Sequence, residues 1–399
     1  MAADRRILIY SHDSFGLGHL RRCRAIAHAL VEAHKGLSVL ILSGSPIIGS
    51  FDFRARVDFV RVPGVIKLRN GEYTSLNLLI DIEQTLAMRG SIIRHTADIF
   101  DPDVFIVDKE PLGLRGEVLD TLLMLKARGT HLVLGLRDVL DESALLVPEW
   151  RRKRAMPVVN EVYDEIWVYG LAEVFDPLAS LEPSPAVRAK TTFTGYLPRS
   201  VAPGAPAELP EAPYLLVTTG GGGDGAALID AVLAAYESPR PPSPAAVLVL
   251  GPFMAPEDQA RTAERVARLE RVSATVFESH IEALYAGAAG VVAMGGYNTF
   301  CEILSFDKPA LIVPRTIPRK EQLIRANRAR ELGLVDMLTD EAARDPATMA
   351  AALERLPRRP PPSAVVIPGL LDGFANLNRM MTDTLAARGA APAARTGTA

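Results

Sequence analysis

Residues Ala293–Arg315, AMGGYNTFCEILSFDKPALIVPR, continued by Lys320–Gly333, KEQLIRANRARELG, decide how the rest of the chain is read. The apolar run Gly290–Met294 suits a buried strand. Gly295-Gly296 closes it with a turn that a side chain would obstruct. Tyr297 to Phe306 has helical spacing, with Phe300, Ile303 and Leu304 on one face, and Ala310–Val313 is another short strand, stopped by Pro314. A glycine turn feeding a helix N-terminus presents free backbone N–H groups and a positive dipole end, which suits an anion and phosphate above all. Asn298 and Thr299 add side-chain donors there. Glu302, about one turn on, is placed to accept from sugar hydroxyls, and Gln322 to return to the pocket from the next helix. The plainer reading is one more βαβ unit whose glycines serve only the turn.

The same alternation runs through the whole chain. Strands are expected at Arg6–Ser11, Ser38–Leu42, Val57–Val62, Val104–Asp108, His131–Leu136 and 165–170. Helices are expected between them at about His19–Ala33, Asp81–Phe100, Glu117–Arg128 and Glu149–Tyr163, with Ile66–Leu79 as a long polar loop. After a Pro/Ala-rich stretch the pattern repeats: YLLVTT, the run GGGGDG at Gly220–Gly225, a helix, VLVLG, a helix at about Glu257–Leu269, TVFES, a short helix, and then the opening stretch. The fold class is therefore α/β, two Rossmann-like doubly wound parallel-sheet domains facing a cleft. The expected boundaries are 1–197 for the first domain, 198–213 for the linker, 214–368 for the second domain, 369–388 for an amphipathic C-terminal helix, and 389–399 for a disordered tail. The unusual loops SHDSFGLGH, VDKEP, LRDVLDE, TTGGGGDG and AMGGYNT all fall at the carboxyl ends of strands, where ligands of open α/β sheets bind.

Composition narrows the function. A net charge of −3 gives no reason to expect nucleic acid as a partner. The two cysteines, Cys23 and Cys301, neither complete a zinc site nor suggest a disulfide framework, which fits a reducing cytoplasm. The N-terminus runs straight into a strand, and no apolar run reaches the ~20 residues needed to span a bilayer. The expected location is cytoplasmic, soluble or at most peripheral to a membrane. Arg151–Arg154, RRKR, is read as a solvated helix face that would also meet anionic headgroups if the acceptor were a lipid.

The first loop holds Ser14, Gly16, Gly18 and His19. It fails as a dinucleotide fingerprint, because Arg21 stands where Gly or Ala is needed and the second strand ends in Leu-Ser-Gly-Ser without an acid. His19 is expected to face the cleft, with His12 and Asp13 placed to assist as base and orienter; alternatively His19 merely caps its helix. Gly220, Gly221, Gly222 and Gly223 form a second candidate anion nest, four glycines that packing alone does not justify. Asp108, Lys109 and Glu110, and one strand later Arg137 and Asp138, are candidate cleft residues on the acceptor side, with Asp108 a candidate base. Asp101-Pro-Asp103 has the form of a metal-binding Asp-x-Asp but precedes its strand, so it reads as a helix-stop turn and no metal is expected.

Taken together, Gly-Gly, Asn-Thr, Glu, Lys-Pro-Ala, Val-Pro and Gln in the opening stretch resemble the nucleotide-sugar signature of GT-B glycosyltransferases, most of all family 28, the group of the peptidoglycan N-acetylglucosaminyltransferase. The resemblance is specific from about Gly220 to Gly333. It implies that Gly295, Gly296, Asn298 and Thr299 hold the donor diphosphate, Glu302 the ribose and Gln322 the donor sugar. It also implies that Phe277, His280 and Ile281 line the nucleobase pocket through main-chain contacts, with Phe277 equally suited to a core position. Gly16, Gly18 and His19 resemble the family's Gly-x-Gly-His, although SHDSF departs from its usual loop. The C-terminal helix would cross back onto the first domain. The activity so implied is metal-independent, inverting transfer of a hexose or N-acetylhexosamine from a UDP-sugar co-substrate to an acceptor hydroxyl, with no further cofactor. The alternatives are a UDP-sugar 2-epimerase or hydrolase on the same fold, and a non-catalytic nucleotide-sugar-binding protein.

Overall fold

The computed structural model describes residues 4–12, 18–68, 72–201 and 213–390. The first half runs β1 (Arg5–Ser11), α1 (Gly18–Ala33), β2 (Leu37–Ser43), β3 (Val57–Arg61), β4 (Val65–Lys67), β5 (Tyr73–Ser75), α2 (Ile82–Phe100), β6 (Val104–Asp108), α3 (Leu119–Ala127), β7 (His131–Arg137), α4 (Ser143–Lys153), α5 (Ala155–Glu161), β8 (Glu165–Tyr169), α6 (Pro185–Ala189) and β9 (Thr191–Phe193). The second half runs β10 (Tyr214–Thr218), α7 (Ala226–Tyr236), β11 (Ala245–Val249), α8 (Pro256–Val266), β12 (Val272–Thr275), α9 (Ile281–Gly287), β13 (Gly290–Ala293), α10 (Tyr297–Ser305), β14 (Ala310–Ile312), α11 (Glu321–Glu331), β15 (Asp336–Met337), α12 (Asp340–Ala343), α13 (Pro346–Arg355) and α14 (Gly373–Ala390).

Two parallel sheets result, ordered β3-β2-β1-β6-β7-β8-β9 and β12-β11-β10-β13-β14-β15. Strand order reverses between β1 and β6 in the first sheet and between β10 and β13 in the second. A reversal opens a crevice at the strands' carboxyl ends, so the crevices lie beside Ser11 and Asp108 in one sheet and beside Thr218 and Ala293 in the other.

Both faces of each sheet are covered, which is why the strands read as unbroken apolar runs. Successive residues alternate between cores. Ile7 and Ile9 enter a middle core, while Leu8 and Tyr10 enter an outer one with Phe105, Leu132 and Leu134. In the second sheet Leu216 and Val291 join the middle core, while Leu215, Val217 and Val292 enter a third. The middle core is continuous from one sheet to the other through Leu20's helix, Tyr196, Phe300 and Ile303, and takes in Leu377 and Met381 of α14. That helix lies against α1, with Asn376 Nδ2 donating to the Thr194 carbonyl (2.9 Å) and Arg5 to that of Leu385. Cys23 and Cys301 are buried thiols that are not joined in a disulfide. No helix among the described residues is long and apolar enough to cross a membrane.

Several local expectations need correction. Ile66–Leu79 is not a plain loop: β4 and β5 pair antiparallel, Val65 opposite Ser75, and residues 69–71 between them lie outside the described residues. The helix expected over Glu149–Tyr163 is two helices, α4 and α5, broken at Arg154 with φ 50°. Pro157 explains the break, since in a continuous helix its ring would collide with the Lys153 carbonyl four residues back. The basic run is divided as well: Arg151, Arg152 and Arg154 are exposed, but Lys153 reaches Glu110 (2.7 Å) and Glu149 (2.5 Å). The C-terminal helix begins at Gly373, because Gly369–Asp372 forms a turn in which the Leu370 carbonyl accepts from Tyr196 N (2.8 Å). Most of the linker 198–213 and of the tail 389–399 lies outside the described residues.

Candidate functional site

The carboxyl edges of the two sheets face each other and are joined by charge. Asp138, just past β7, receives two hydrogen bonds from Arg325 of α11 (2.6 and 2.7 Å) and one from Tyr196 Oη (2.9 Å). Neither Asp138 nor Arg325 is more than 1% exposed, so each charge depends on the other. Asn298 bridges the seam, donating to the Gly18 carbonyl (2.9 Å) and accepting from Arg199 (3.2 Å). Arg319 reaches Asp141 and Glu149.

On the first-domain side, His19 and Arg22 are three apart at the start of α1 and therefore share a face. Both turn to Asp108 at the end of β6. His19 Nδ1 is 2.5 Å from Asp108 Oδ2, and Arg22 donates to both carboxylate oxygens at 2.6–2.8 Å. The Arg22 guanidinium also lies over the Tyr297 ring, 5.4 Å from its centroid. Burial alone would raise the Asp108 carboxyl, but Arg22 and His19 outweigh it and hold it well below the usual carboxylate range. Burial pushes the His19 imidazole down to about 4, even against the pull of Asp108. At neutral pH the ring is therefore uncharged, with Nδ1–H donating to Asp108 and Nε2 without a partner among the described residues.

This arrangement corrects two expectations. Asp108 is not placed as a base: it is 1% exposed and fully engaged, so it orients His19. His19 does not cap its helix, since its ring turns to the end of β6. His12 lies 5.7 Å ring to ring from His19, is buried, and burial lowers its pKa well below the usual histidine value. Asp13, Ser14 and Gly16 lie outside the described residues. Gly18 offers its carbonyl to Asn298.

On the second-domain side, Gly295 adopts φ +80°, and a Cβ there would sit 2.8 Å from Ile312 Cγ2. Gly296, the N-cap of α10, has open space where its side chain would be. The turn thus ends with its backbone bare toward the cleft. Thr299 and Glu302 follow on the first turns of α10, both buried. Gln322 is also buried and accepts from the Arg315 backbone N–H (3.1 Å). Gly220 and Gly222 have positive φ, but packing does justify Gly222, contrary to the sequence reading: a Cβ there would lie 2.4 Å from the Leu250 carbonyl oxygen. Gly221 packs near Phe253, and Gly223 is exposed.

A cavity of about 30 Å³ lies between these loops, lined among others by Gly220, Phe277, Ile281, Thr299 and Glu302. Phe277 is half-buried on its wall rather than in the core, and His280 stands at the N-cap of α9, outside the lining. Arg21 crosses from α1 to close the cavity, donating to Glu302 (2.6 Å) and Glu282 (2.9 Å). Burial raises the Glu302 carboxyl above its ordinary value, with Arg21 opposing. Glu302 is thus engaged across the cleft, where the sequence left it open. Asp101-Pro-Asp103 sits at the other edge of the first sheet: Asp101 ends α2 in the left-handed conformation and pairs with Arg6, and Asp103 pairs with Arg5.

Sequence reasoning missed Arg21, Arg22, Arg325 and Glu282. The one available signal was the three-residue spacing of His19 and Arg22. The others contact partners too distant in sequence to leave a local pattern.

Solved structures share this architecture over nearly the whole chain. The glycosyltransferase VinC in complex with DTDP is 17% identical over 97% of this chain and 100% of its own, with a TM-score of 0.60. Phytolacca americana UGT2, complexed with UDP-2-fluoro-glucose and pterostilbene, is 14% identical over 96% and 100%, at 0.61. Acinetobacter baumannii MurG is 13% identical over 96% and 99%, at 0.53. No protein-family model and no curated protein matches the sequence. The fold is that of the GT-B glycosyltransferases.

Proposed function

We propose that the protein is a glycosyltransferase, similar to family 28, that moves a hexose or N-acetylhexosamine from a UDP-sugar to an acceptor hydroxyl. One observation carries this reading. A neutral His19, oriented by Asp108 at one switch point, follows directly on Gly18, whose carbonyl accepts from Asn298 in the first turn of α10, beside the bare glycine turn of the other. Residues 1–197 would form the acceptor domain and 214–368 the donor domain, with 369–388 returning to the first.

In this mechanism Asp108 holds the Nδ1–H, and Nε2 accepts the proton of the acceptor hydroxyl as its oxygen attacks the anomeric carbon. The bond from that carbon to the diphosphate breaks, and UDP leaves with the electron pair. The α10 N-terminus, Asn298 and Thr299 would stabilise the growing negative charge, without an essential metal. A single displacement inverts the anomeric centre. The cavity of about 30 Å³ beside Glu302 is smaller than the ~300 Å³ usual for a ligand pocket; in this reading Arg21 gives up Glu302 and the domains part as the donor binds.

The test is calorimetric titration with UDP, UDP-sugars and NAD(H), followed by turnover with and without EDTA. Binding of UDP or a UDP-sugar that Glu302→Ala weakens, with turnover insensitive to EDTA and an inverted product by NMR, is the expected result. Absence of UDP and UDP-sugar binding by the folded protein overturns the reading. A free or epimerised sugar formed without acceptor would point to the hydrolase or epimerase alternative.

A further inference from the structure

We propose that Arg137, with Lys109 beside it, forms an anion subsite on the first-domain wall of the cleft, which takes a carboxylate or phosphate carried by the acceptor. This rests on the transfer reading above and names what its acceptor carries.

Almost every other cation around the cleft is paired. Arg22 is held by Asp108, Arg325 by Asp138, Arg315 by Glu321 and Asp224, Arg319 by Asp141 and Glu149, and Lys153 by Glu110 and Glu149. Arg137 is the exception. It ends β7 at the cleft edge, makes no ion pair or side-chain hydrogen bond among the described residues, and its Nε is buried without a partner. Arg137 as a whole is half-buried, but it cannot shed its charge near neutrality, and an Nε–H desolvated without an acceptor is costly. Burial pulls it down to about 10; Glu321 opposes, while Arg22 and Arg325 push the same way.

Lys109 supplies a second, independent observation. It follows Asp108 directly and holds φ at +68°, a conformation that a lysine keeps only where its surroundings impose it. Its backbone N–H donates to the Gly135 carbonyl at 2.7 Å. The side chain is 13% exposed, and Nζ stops 3.7 Å from Glu110 Oε1, beyond hydrogen-bond reach. Burial lowers the ammonium to about 8; Glu110 opposes, while the charges of Arg137, Arg319 and Lys153 add to the fall.

Two cations on adjacent strands are thus held partly desolvated, Arg137 without an ion pair among the described residues and Lys109 with only the long contact to Glu110. An anionic group would satisfy both. The donor diphosphate belongs to the α10 N-terminus on the opposite domain, so it leaves this wall free. Lys109 is covalently next to the residue that orients His19, so an anion fixed here would hold the acceptor hydroxyl toward the base. A uronate on the donor sugar is a second source of the same chemistry, and the experiment separates the two.

The full chain is titrated calorimetrically with inorganic phosphate, alone and with saturating UDP-glucose, and separately with UDP-glucuronate. The parent is compared with Arg137→Gln and Lys109→Gln, each first checked for a cooperative melt so that either variant carries the test if the other misfolds. The parent is expected to bind phosphate beside UDP-glucose. Arg137→Gln is expected to weaken that binding by about tenfold, the scale of one lost charge-assisted contact. Lys109→Gln is expected to weaken it less. Equal phosphate affinity in parent and variants, or none in any of them, overturns the proposal. Loss of UDP-glucuronate affinity alone in Arg137→Gln, without phosphate binding beside UDP-glucose, moves the anion to the donor sugar and overturns the acceptor assignment. If UDP-glucose does not bind at all, the donor reading fails, and the nucleotide-free phosphate titration still decides the Arg137 site.

Discussion

The two switch points occupy equivalent places in two sheets of the same strand order, yet they are built from opposite materials. In the first domain the crevice holds side-chain charge: His19, Arg22 and Asp108 form one hydrogen-bonded set inside a single domain. In the second it holds bare backbone, a glycine turn and a helix N-terminus, and Glu302 on that helix is paired with Arg21 from the other domain. The difference assigns tasks. Proton transfer needs a group with a set pKa and orientation, which a packed side-chain network supplies whether or not ligand is present. A leaving diphosphate is served by several donors at close range, which backbone N–H groups bare of side chains can offer. The described side chains of the first half are already joined to one another, whereas Glu302 in the second is held by a residue of the other domain.

The largest expected effect comes from breaking the side-chain half. His19→Ala should lower kcat by about 10²–10⁴-fold, the usual worth of a positioned base, while UDP affinity stays near that of the parent; steady-state kinetics beside titration would show both. The pH profile sharpens the point. A base acts only when unprotonated, and His19 is held near 4, so its acidic limb should fall near pH 4 and the rate should be flat from pH 5 to 7. An ordinary histidine would give half-loss near 6.5. A limb at 6.5 in the parent would show that His19 is less buried in solution, or that another group is the base.

The seam between the halves should come next. Arg325→Leu strips Asp138 of its buried partner, which typically costs about 3–5 kcal/mol, and urea denaturation should report a loss of that size. Replacing Asp138 by Leu as well should restore much of it, because the cost is that of an uncompensated charge rather than of lost packing. A single-variant loss below about 1 kcal/mol would mean that the seam is wet or already open in solution.

These contacts also mark how far the sequence could be read. Strand and helix periods are local properties, and the doubly wound order follows from them once each half alternates; Arg6–Ser11, Val104–Asp108 and Gly290–Ala293 stand where their apolar runs put them. The Gly295-Gly296 turn was legible for the same reason, because a positive φ at a strand's end selects glycine. Pairings were not. His19 meets Asp108 across 89 residues, Arg325 meets Asp138 across 187, and Arg21 meets Glu302 across 281. Each partner is an ordinary charged residue in its own neighbourhood, so the roles of Asp108 and Arg21 could be read only from their places in the fold. Gly222 shows the converse: its local context suggested a nest, while the demand on it comes from the β11 end packed against it.

Within the donor half, Glu302→Gln keeps the shape but removes the charge. If Glu302 exchanges Arg21 for ribose hydroxyls, the variant should bind UDP about tenfold more weakly, near 1.4 kcal/mol. An unchanged dissociation constant would leave Glu302 as a domain latch and no more.

The smallest effect on stability should come from the most exposed part of the backbone half, and it separates two adjacent glycines. At Gly295 an added Cβ meets Ile312 and the residue needs φ +80°, so Gly295→Ala should lose about 1–3 kcal/mol. At Gly296 φ is −59° and nothing lies within reach of an added methyl, so Gly296→Ala should stay within about 0.5 kcal/mol of the parent in thermal melting. The same methyl would point into the space that the diphosphate is to occupy, so UDP affinity should fall while stability holds. A Gly296→Ala protein that melts like the parent and binds UDP equally well would put the diphosphate elsewhere, and with it the claim that bare backbone at this switch point is there for a ligand.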